Sequence, residues 1–125
     1  MEKVTLKKLR IVHKDARGTI MDLLNSKINH VGIIVTEKGG LRANHYHKRS
    51  MQYDYLFSGT FEVTYAPVSN PNKKKKIILR AGYLITIPSM YIHSFKAKEK
   101  SVLINMMSTS REGKRYEKDV YRVEF

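Results

Sequence analysis

Residues 39–59 read GGLRANHYHKRSMQYDYLFSG, and this stretch decides the fold. His45 and His47 sit two apart. On an extended strand, residues i and i+2 leave the same face, so both imidazoles aim at one spot, with Gln52 close behind. A second cluster, GYLITIPSMYIH at residues 82–93, carries a third histidine, His93. A chain that folds His93 back beside the first pair builds a pocket with three convergent imidazoles.

Outward from these clusters the chain reads as many short strands. Val4 to Val12 is rich in Val, Leu and Ile and predicts an early strand. Gly18 closes a turn and Thr19 to Leu24 leaves it as a strand. His30 to Thr36 is densely β-branched and reads as a buried strand. Ser50 to Phe57, Phe61 to Ala66, Ile77 to Arg80, Tyr83 to Ile87, Tyr91 to Phe95 and Ser101 to Met107 follow. Ser58-Gly59-Thr60 is a hairpin turn. Pro67 to Lys76 and Ser108 to Tyr116 read as loops, and Val120 to Phe125 as a last strand or tail. No amphipathic helix stands out. The pattern predicts an all-β sandwich or barrel in a single domain spanning residues 1–125.

Composition narrows the function classes. The 125 residues carry 24 Lys and Arg against 11 Asp and Glu, a net charge of +13. That excess implies an anionic partner or a lysine-rich solvated surface. No nucleic-acid motif and no aromatic–basic stripe is present, so a nucleic-acid partner is set aside. No apolar run is long enough to insert in a membrane. The first residues, MEKVTLKKLR, carry charge without an apolar stretch, which predicts no export signal and a cytoplasmic protein. The chain has no cysteine, and hence neither disulfides nor thiolate metal ligands.

The two clusters resemble the paired motifs of the cupin family. Gly39, His45, His47, Gln52 and Gly59 fall on the positions of the first motif, with Gln52 where Glu is usual. Gly82, Pro88 and His93 fall on those of the second, with Met90 where Gly is usual and Ala97 where Asn is usual. The resemblance covers residues 39–97 and implies a jelly-roll β-barrel with a site inside its mouth. Three further stretches resemble one branch, the sugar-nucleotide epimerases and 3,4-ketoisomerases of the dTDP-rhamnose type. They are Asp15-Ala16-Arg17-Gly18, Leu41-Arg42-Ala43-Asn44-His45-Tyr46-His47-Lys48, and Ile87-Pro88 ahead of His93.

That resemblance implies an isomerase or epimerase acting on a nucleotide-linked 4-keto-6-deoxy sugar, in cell-surface polysaccharide synthesis. His45 and His47 would transfer protons without a metal, with a tyrosine completing the transfer. Tyr91, which shares parity with His93, is the candidate. Basic groups among Arg17, Arg42, Lys48 and Arg49 would hold the diphosphate, with Gln52 and His93 supporting the sugar. Arg42 lies three residues before His45, on the opposite face of an ideal strand, and reaches the pocket only at the barrel rim or across a bulge. Asp54 shares parity with Gln52 and is expected to orient a histidine. A homodimer sharing the N-terminal strand is also implied. The chemistry agrees with the residues: a ketone acidifies its neighbouring C–H protons, and imidazole titrates near neutrality. A competing reading makes His45, His47, Gln52 and His93 the ligands of Zn, Fe, Ni, Mn or Cu, for oxygen or isomerase chemistry. A third keeps the barrel and its ligand but removes the catalysis.

Overall fold

Alternating apolar residues give this chain strands with one face to bury, and two sheets bury those faces against each other. The structure, a computed structural model, describes residues 3–110 and 118–125. One five-stranded sheet runs in the order β1 (Thr5–Lys8), β9 (Tyr83–Ile87), β6 (Gln52–Ser58), β11 (Ser101–Met107), β4 (His30–Thr36). The other runs β12 (Tyr121–Arg122), β5 (Leu41–Tyr46), β10 (Tyr91–Ala97), β7 (Thr60–Pro67), β8 (Lys75–Arg80). β2 (Ile11–Asp15) and β3 (Gly18–Met21) form a separate hairpin. All these pairings are antiparallel, as in a jelly roll. No helix among the described residues is long and apolar enough to cross a membrane.

The core lies between the sheets. Leu56, Ile85, Ile87 and Leu103 from the first meet Phe61, Val63, Leu79 and Phe95 from the second. Tyr55, Leu84 and Met106 face the other side of the first sheet and are covered by Met21, Leu23, Leu24 and Ile28. Tyr53 and Tyr55 thus point away from Gln52, as strand parity requires.

Three boundaries differ from the sequence reading. The predicted strand over Val4 to Val12 breaks at Leu9 and Arg10: its first half pairs with β9 and its second with β3. The strand from Thr19 ends at Met21 rather than Leu24, because the residues beyond turn to cover the sheet. Only Tyr121 and Arg122 of the last segment pair. The loop predicted over Ser108 to Tyr116 lies partly outside the described residues. β4 corrects a fourth reading. It is a strand as expected but not a buried one: it is an edge, with Ile33 72% and Val31 60% exposed. β-branched density favours a strand and says nothing about what covers it.

Two backbone irregularities position the site. Along β5 and β10, His45 pairs with His93 but Arg42 pairs with Phe95, so a step of three residues on one strand opposes a step of two on the other. Asn44 takes φ 61 at this bulge, a conformation asparagine tolerates better than most residues. Met90 takes φ 66 just before β10, at the position where the cupin motif usually has glycine. A side chain meets a steric penalty there that glycine avoids.

The turn between β6 and β7 depends on Gly59. It has φ +96, and a Cβ there would collide with the Ser101 side chain and lie 2.6 Å from Ser101 Cα. Gly82 has φ +91 but open space around it. In urea unfolding, Gly59→Ala should cost more than Gly82→Ala by roughly 2 kcal/mol or above, since only the first adds a backbone collision to the conformational penalty. Equal losses would show that this contact relaxes freely.

Candidate active site

The pairing of β5 with β10 brings the two histidine clusters together. His45 and His93 stand opposite each other, with Nε2 atoms 3.1 Å apart and ring centroids 4.6 Å apart. His47, just past β5, puts its ring centroid 5.2 Å from His45 and 5.5 Å from His93. The ligating nitrogens of all three lie within 4.8 Å of one another.

His93 is fully enclosed. Burial first, then the neighbouring His45 and His47, hold its pKa well below the usual 6.5. It is therefore neutral. Its Nδ1 donates to the Tyr91 carbonyl at 3.0 Å, which leaves Nε2 as an acceptor for His45 Nε2–H. His47 is held from two sides. Its Nδ1 donates to the Asp119 backbone carbonyl at 2.8 Å, and its Nε2 lies 3.2 Å from Gln52 Oε1. The Gln52 amide nitrogen donates to Asp54 Oδ2 at 2.6 Å, and Asn105 Nδ2 donates to Asp54 Oδ1 at 2.7 Å. Asp54 is 1% exposed. It was expected to orient a histidine; these two bonds tie it to Gln52 and Asn105, and it reaches His47 through the Gln52 amide.

These side chains meet a cavity of about 400 Å³. Its polar wall is His45, His93, Gln52, Asp54 and Asn105; its apolar wall includes Ile34, Phe95, Leu103 and Met107. His47 is not among the lining residues; it stands behind Gln52. Arg42 lines the mouth. The bulge at Asn44 returns it to the same face as His45, against the parity of a regular strand. Its Nε donates to Thr36 Oγ1 at 3.2 Å and its Nη2 to the Val35 carbonyl at 3.0 Å. It thus bridges the two sheets.

Four other predicted residues lie elsewhere. Tyr91 lines a separate cavity with Tyr65, Lys73 and Lys75. It shares a face with His93, but two residues along a strand are ~6.6 Å away, which is enough to change cavities. Arg17 sits on the exposed hairpin, paired to Asp15 at 2.6 Å. Arg17 and His13 hold the Asp15 carboxyl down at about 2. Lys48 reaches over the Tyr121 ring, and Arg49 lines a third cavity beside Asp119 and Lys118.

Two residues escaped the sequence reading. Asn105 was legible in principle, as the polar member of the inward set Leu103, Asn105, Met107. Asp119 was not. Its carboxylate accepts the backbone N–H groups of Lys48, Arg49 and Ser50 at 2.9, 3.1 and 2.9 Å, across some 70 residues of sequence. It fixes the turn that follows His47.

A two-sheet barrel with histidines from its two motifs inside the mouth defines a cupin. The family model described as Cupin matches residues 20–120, and the chain belongs to that family. No curated protein sequence matches it. Among solved structures, the chain is similar to a 3,4-ketoisomerase from Helicobacter canadensis, with TM-score 0.80 and 19% identity over 98% of this chain and 92% of that one. It is similar to a sugar 3,4-ketoisomerase from Thermoanaerobacterium thermosaccharolyticum in complex with TDP, with TM-score 0.77 and 21% identity over 96% and 88%. It is also similar to a dTDP-4-dehydrorhamnose 3,5-epimerase from Sulfolobus tokodaii, with TM-score 0.75 and 18% identity over 98% and 77%. At these identities the likeness concerns the fold.

The neutral His93 makes a pH prediction. Once unfolded, its imidazole binds a proton as pH falls below 6.5; in the fold it does not until far lower. The unfolded state then gains protons relative to the native one, so stability falls as pH drops below 6.5. Urea unfolding near pH 7 and near pH 5 should show a larger acid loss for the natural protein than for His93→Gln. Equal losses would mean that His93 protonates in the fold as readily as in water.

Proposed function

We propose that this cupin is an isomerase or epimerase of a nucleotide-linked 4-keto-6-deoxy sugar. The observation that carries the reading is one cavity with a guanidinium at its mouth and paired imidazoles on its wall. Arg42 suits a diphosphate. The walls suit a sugar, with amides of Gln52 and Asn105 for hydroxyls and Phe95 and Met107 for apolar faces. The neighbours support the same substrate class: one is a 3,4-ketoisomerase mutant in complex with TDP-4-keto-6-deoxyglucose.

His45 is the proton-transferring group in this reading. It faces the cavity and is less buried than His93. A 4-keto group acidifies C3–H, and His45 removes that proton to give an enolate. Protonating C3 from the opposite face with a second donor, while His45 gives its own proton to solvent and the donor regains one there, inverts the centre. Delivering the abstracted proton to C4, while the hydroxyl hydrogen passes from O3 to O4, moves the ketone to C3. Both outcomes share the first step. His93, neutral, accepts from His45 Nε2–H and orients the ring. His47 supports the wall from behind Gln52.

A homodimer belongs to the proposal. The β2–β3 hairpin exposes Ile11, Val12 and Ile20, and the outer face of the first sheet exposes Val31, Ile33, Val35 and Phe57. Apolar surface of this extent favours a second copy, and a shared N-terminal segment would bring Arg17 to another subunit. Ile33→Lys should halve the mass measured by light scattering; an unchanged mass would remove this face from the interface.

One observation favours a second reading. Three imidazoles converge within 4.8 Å, with the Gln52 amide oxygen beside His47. This neutral set fits a divalent transition metal, held by His45, His47, His93 and Gln52. A bound metal would supply Lewis-acid polarisation of the ketone oxygen.

The test is deuterium uptake from heavy water into dTDP-4-keto-6-deoxyglucose, followed by NMR on chelator-treated protein. Exchange at C3 alone supports a ketoisomerase, and exchange at C3 and C5 an epimerase. His45→Asn should slow exchange by roughly 10²–10⁴-fold. No exchange at either carbon overturns the reading for this sugar, and exchange that returns only with added metal moves the second reading forward.

A further inference from the structure

The chain carries a run of four lysines, Lys73 to Lys76, that the proposed reaction does not use. The fold sorts them. Lys76 reaches Glu62 at 3.6 Å, and Lys74 lies over the Phe125 ring, 4.6 Å from its centroid. Lys73 and Lys75 line a cavity of about 210 Å³, where Lys3, from the segment leading into β1, joins them. None of the described residues lining this cavity is acidic. Among the described residues, none of these three ammoniums forms an ion pair with a carboxylate.

Two tyrosines form the inner wall. Lys75 pairs across to Tyr65 of β7, and Tyr65 pairs across to His93 of β10. Directly opposed residues share a face, so Lys75, Tyr65 and His93 stand in one row. Tyr91 lies on the same face as His93, with its ring centroid 6.4 Å from that of Tyr65. The candidate active site opens beside β4 and β5; this cavity opens toward the opposite edges of the two sheets, beside β1 and β8. The loop that carries Lys73 is held by its backbone. Val68 N–H donates to the Met90 carbonyl at 3.0 Å, Asn70 N–H to the Pro67 carbonyl at 3.0 Å, and Lys73 N–H to the Asn70 carbonyl at 3.1 Å.

Three cations around one concavity, with no counter-charge beside them, repel one another and draw in a multivalent anion. Ammonium groups give phosphate oxygens charge-assisted hydrogen bonds, and phenol hydroxyls are further donors. Size narrows the class. The volume lies below the ~300 Å³ at which pockets for drug-sized ligands begin, so a phosphoryl or pyrophosphoryl group fits with little attached to it. We propose that Lys3, Lys73 and Lys75, set over Tyr65 and Tyr91, form a second anion site for a small phosphorylated anion, separate from the candidate active site. It goes beyond the proposed reaction and does not depend on it.

Inorganic pyrophosphate is the probe, titrated into the full chain and followed by calorimetry and by nitrogen–proton NMR of the backbone amides. The amides of Tyr65, Lys75 and Tyr91 should shift. Lys73→Gln with Lys75→Gln should weaken binding roughly 10–100-fold, through the loss of two charge-assisted contacts. Lys96→Gln with Lys98→Gln removes the same charge from exposed positions where β10 ends. It should change binding less than about twofold, because distant exposed charges are screened. Adding dTDP, the probe for a nucleotide diphosphate, should leave the pyrophosphate bound. Equal weakening by the two variant pairs would mean diffuse attraction to a basic surface and overturns the proposal. So does displacement by dTDP, which would put the pyrophosphate in the nucleotide's place, and so does the absence of any shift at millimolar pyrophosphate. Binding needs no turnover: a chain that binds pyrophosphate as expected but exchanges no deuterium keeps this site and loses the proposed reaction.

Discussion

The structure depends on the antiparallel pairing of β5 with β10, and on the one extra residue that β5 carries in it. Antiparallel pairing places His45 opposite His93, 48 residues away, at hydrogen-bonding distance. The extra residue then reverses the parity of what precedes it. Without the bulge at Asn44, His45 would face the cavity while Arg42 faced away. With it, a cation suited to anions and a solvent-facing imidazole share one opening. The penalty is a left-handed backbone at Asn44, a residue whose short polar side chain tolerates it.

Around that pairing the barrel is layered by polarity. At one end, the sheets pack Leu, Ile, Val and Phe against each other with no polar partner needed. Toward the mouth, the same inward positions become His93, Gln52, Asp54 and Asn105. Burying four such groups is unfavourable unless each is hydrogen-bonded, and the contacts form two sets, one running from His45 through His93 to the Tyr91 carbonyl and one from Asn105 through Asp54 and Gln52 to His47 and the Asp119 carbonyl. The same closure that stabilises the wall also orients it. The outer surface has a different logic: the sheet edge at β4 and the β2–β3 hairpin leave apolar side chains in water.

The fold and half of the candidate site were legible in the sequence because they rest on local rules. Alternation at period two marked the strands, and His45, His47 and Gln52 were found from spacing alone. His93 required the family motif to be joined to them. Tyr91 shows where parity runs out: it assigns a face correctly and says nothing about depth along the barrel. Arg42 shows the opposite case: ideal parity puts it on the far face, and it reaches the cavity by a bulge, one of the two routes the sequence left open. Arg17, Lys48 and Arg49 were grouped with the site as the basic groups that the family resemblance implies for a diphosphate, and the chain spreads them over other surfaces.

What the sequence determined by itself was the strand pattern, the imidazole set and the family, since each is written in residue type and short-range spacing. Tertiary structure decided which of those residues share a cavity, and it added Asp119 and the Asn105–Asp54–Gln52 chain. Those contacts join strands and turns between 48 and 72 residues apart in the case of the histidines and Asp119, and 51 apart for Asn105 and Asp54. Their formation depends on how two sheets close on each other, a long-range packing outcome that no local window of sequence contains.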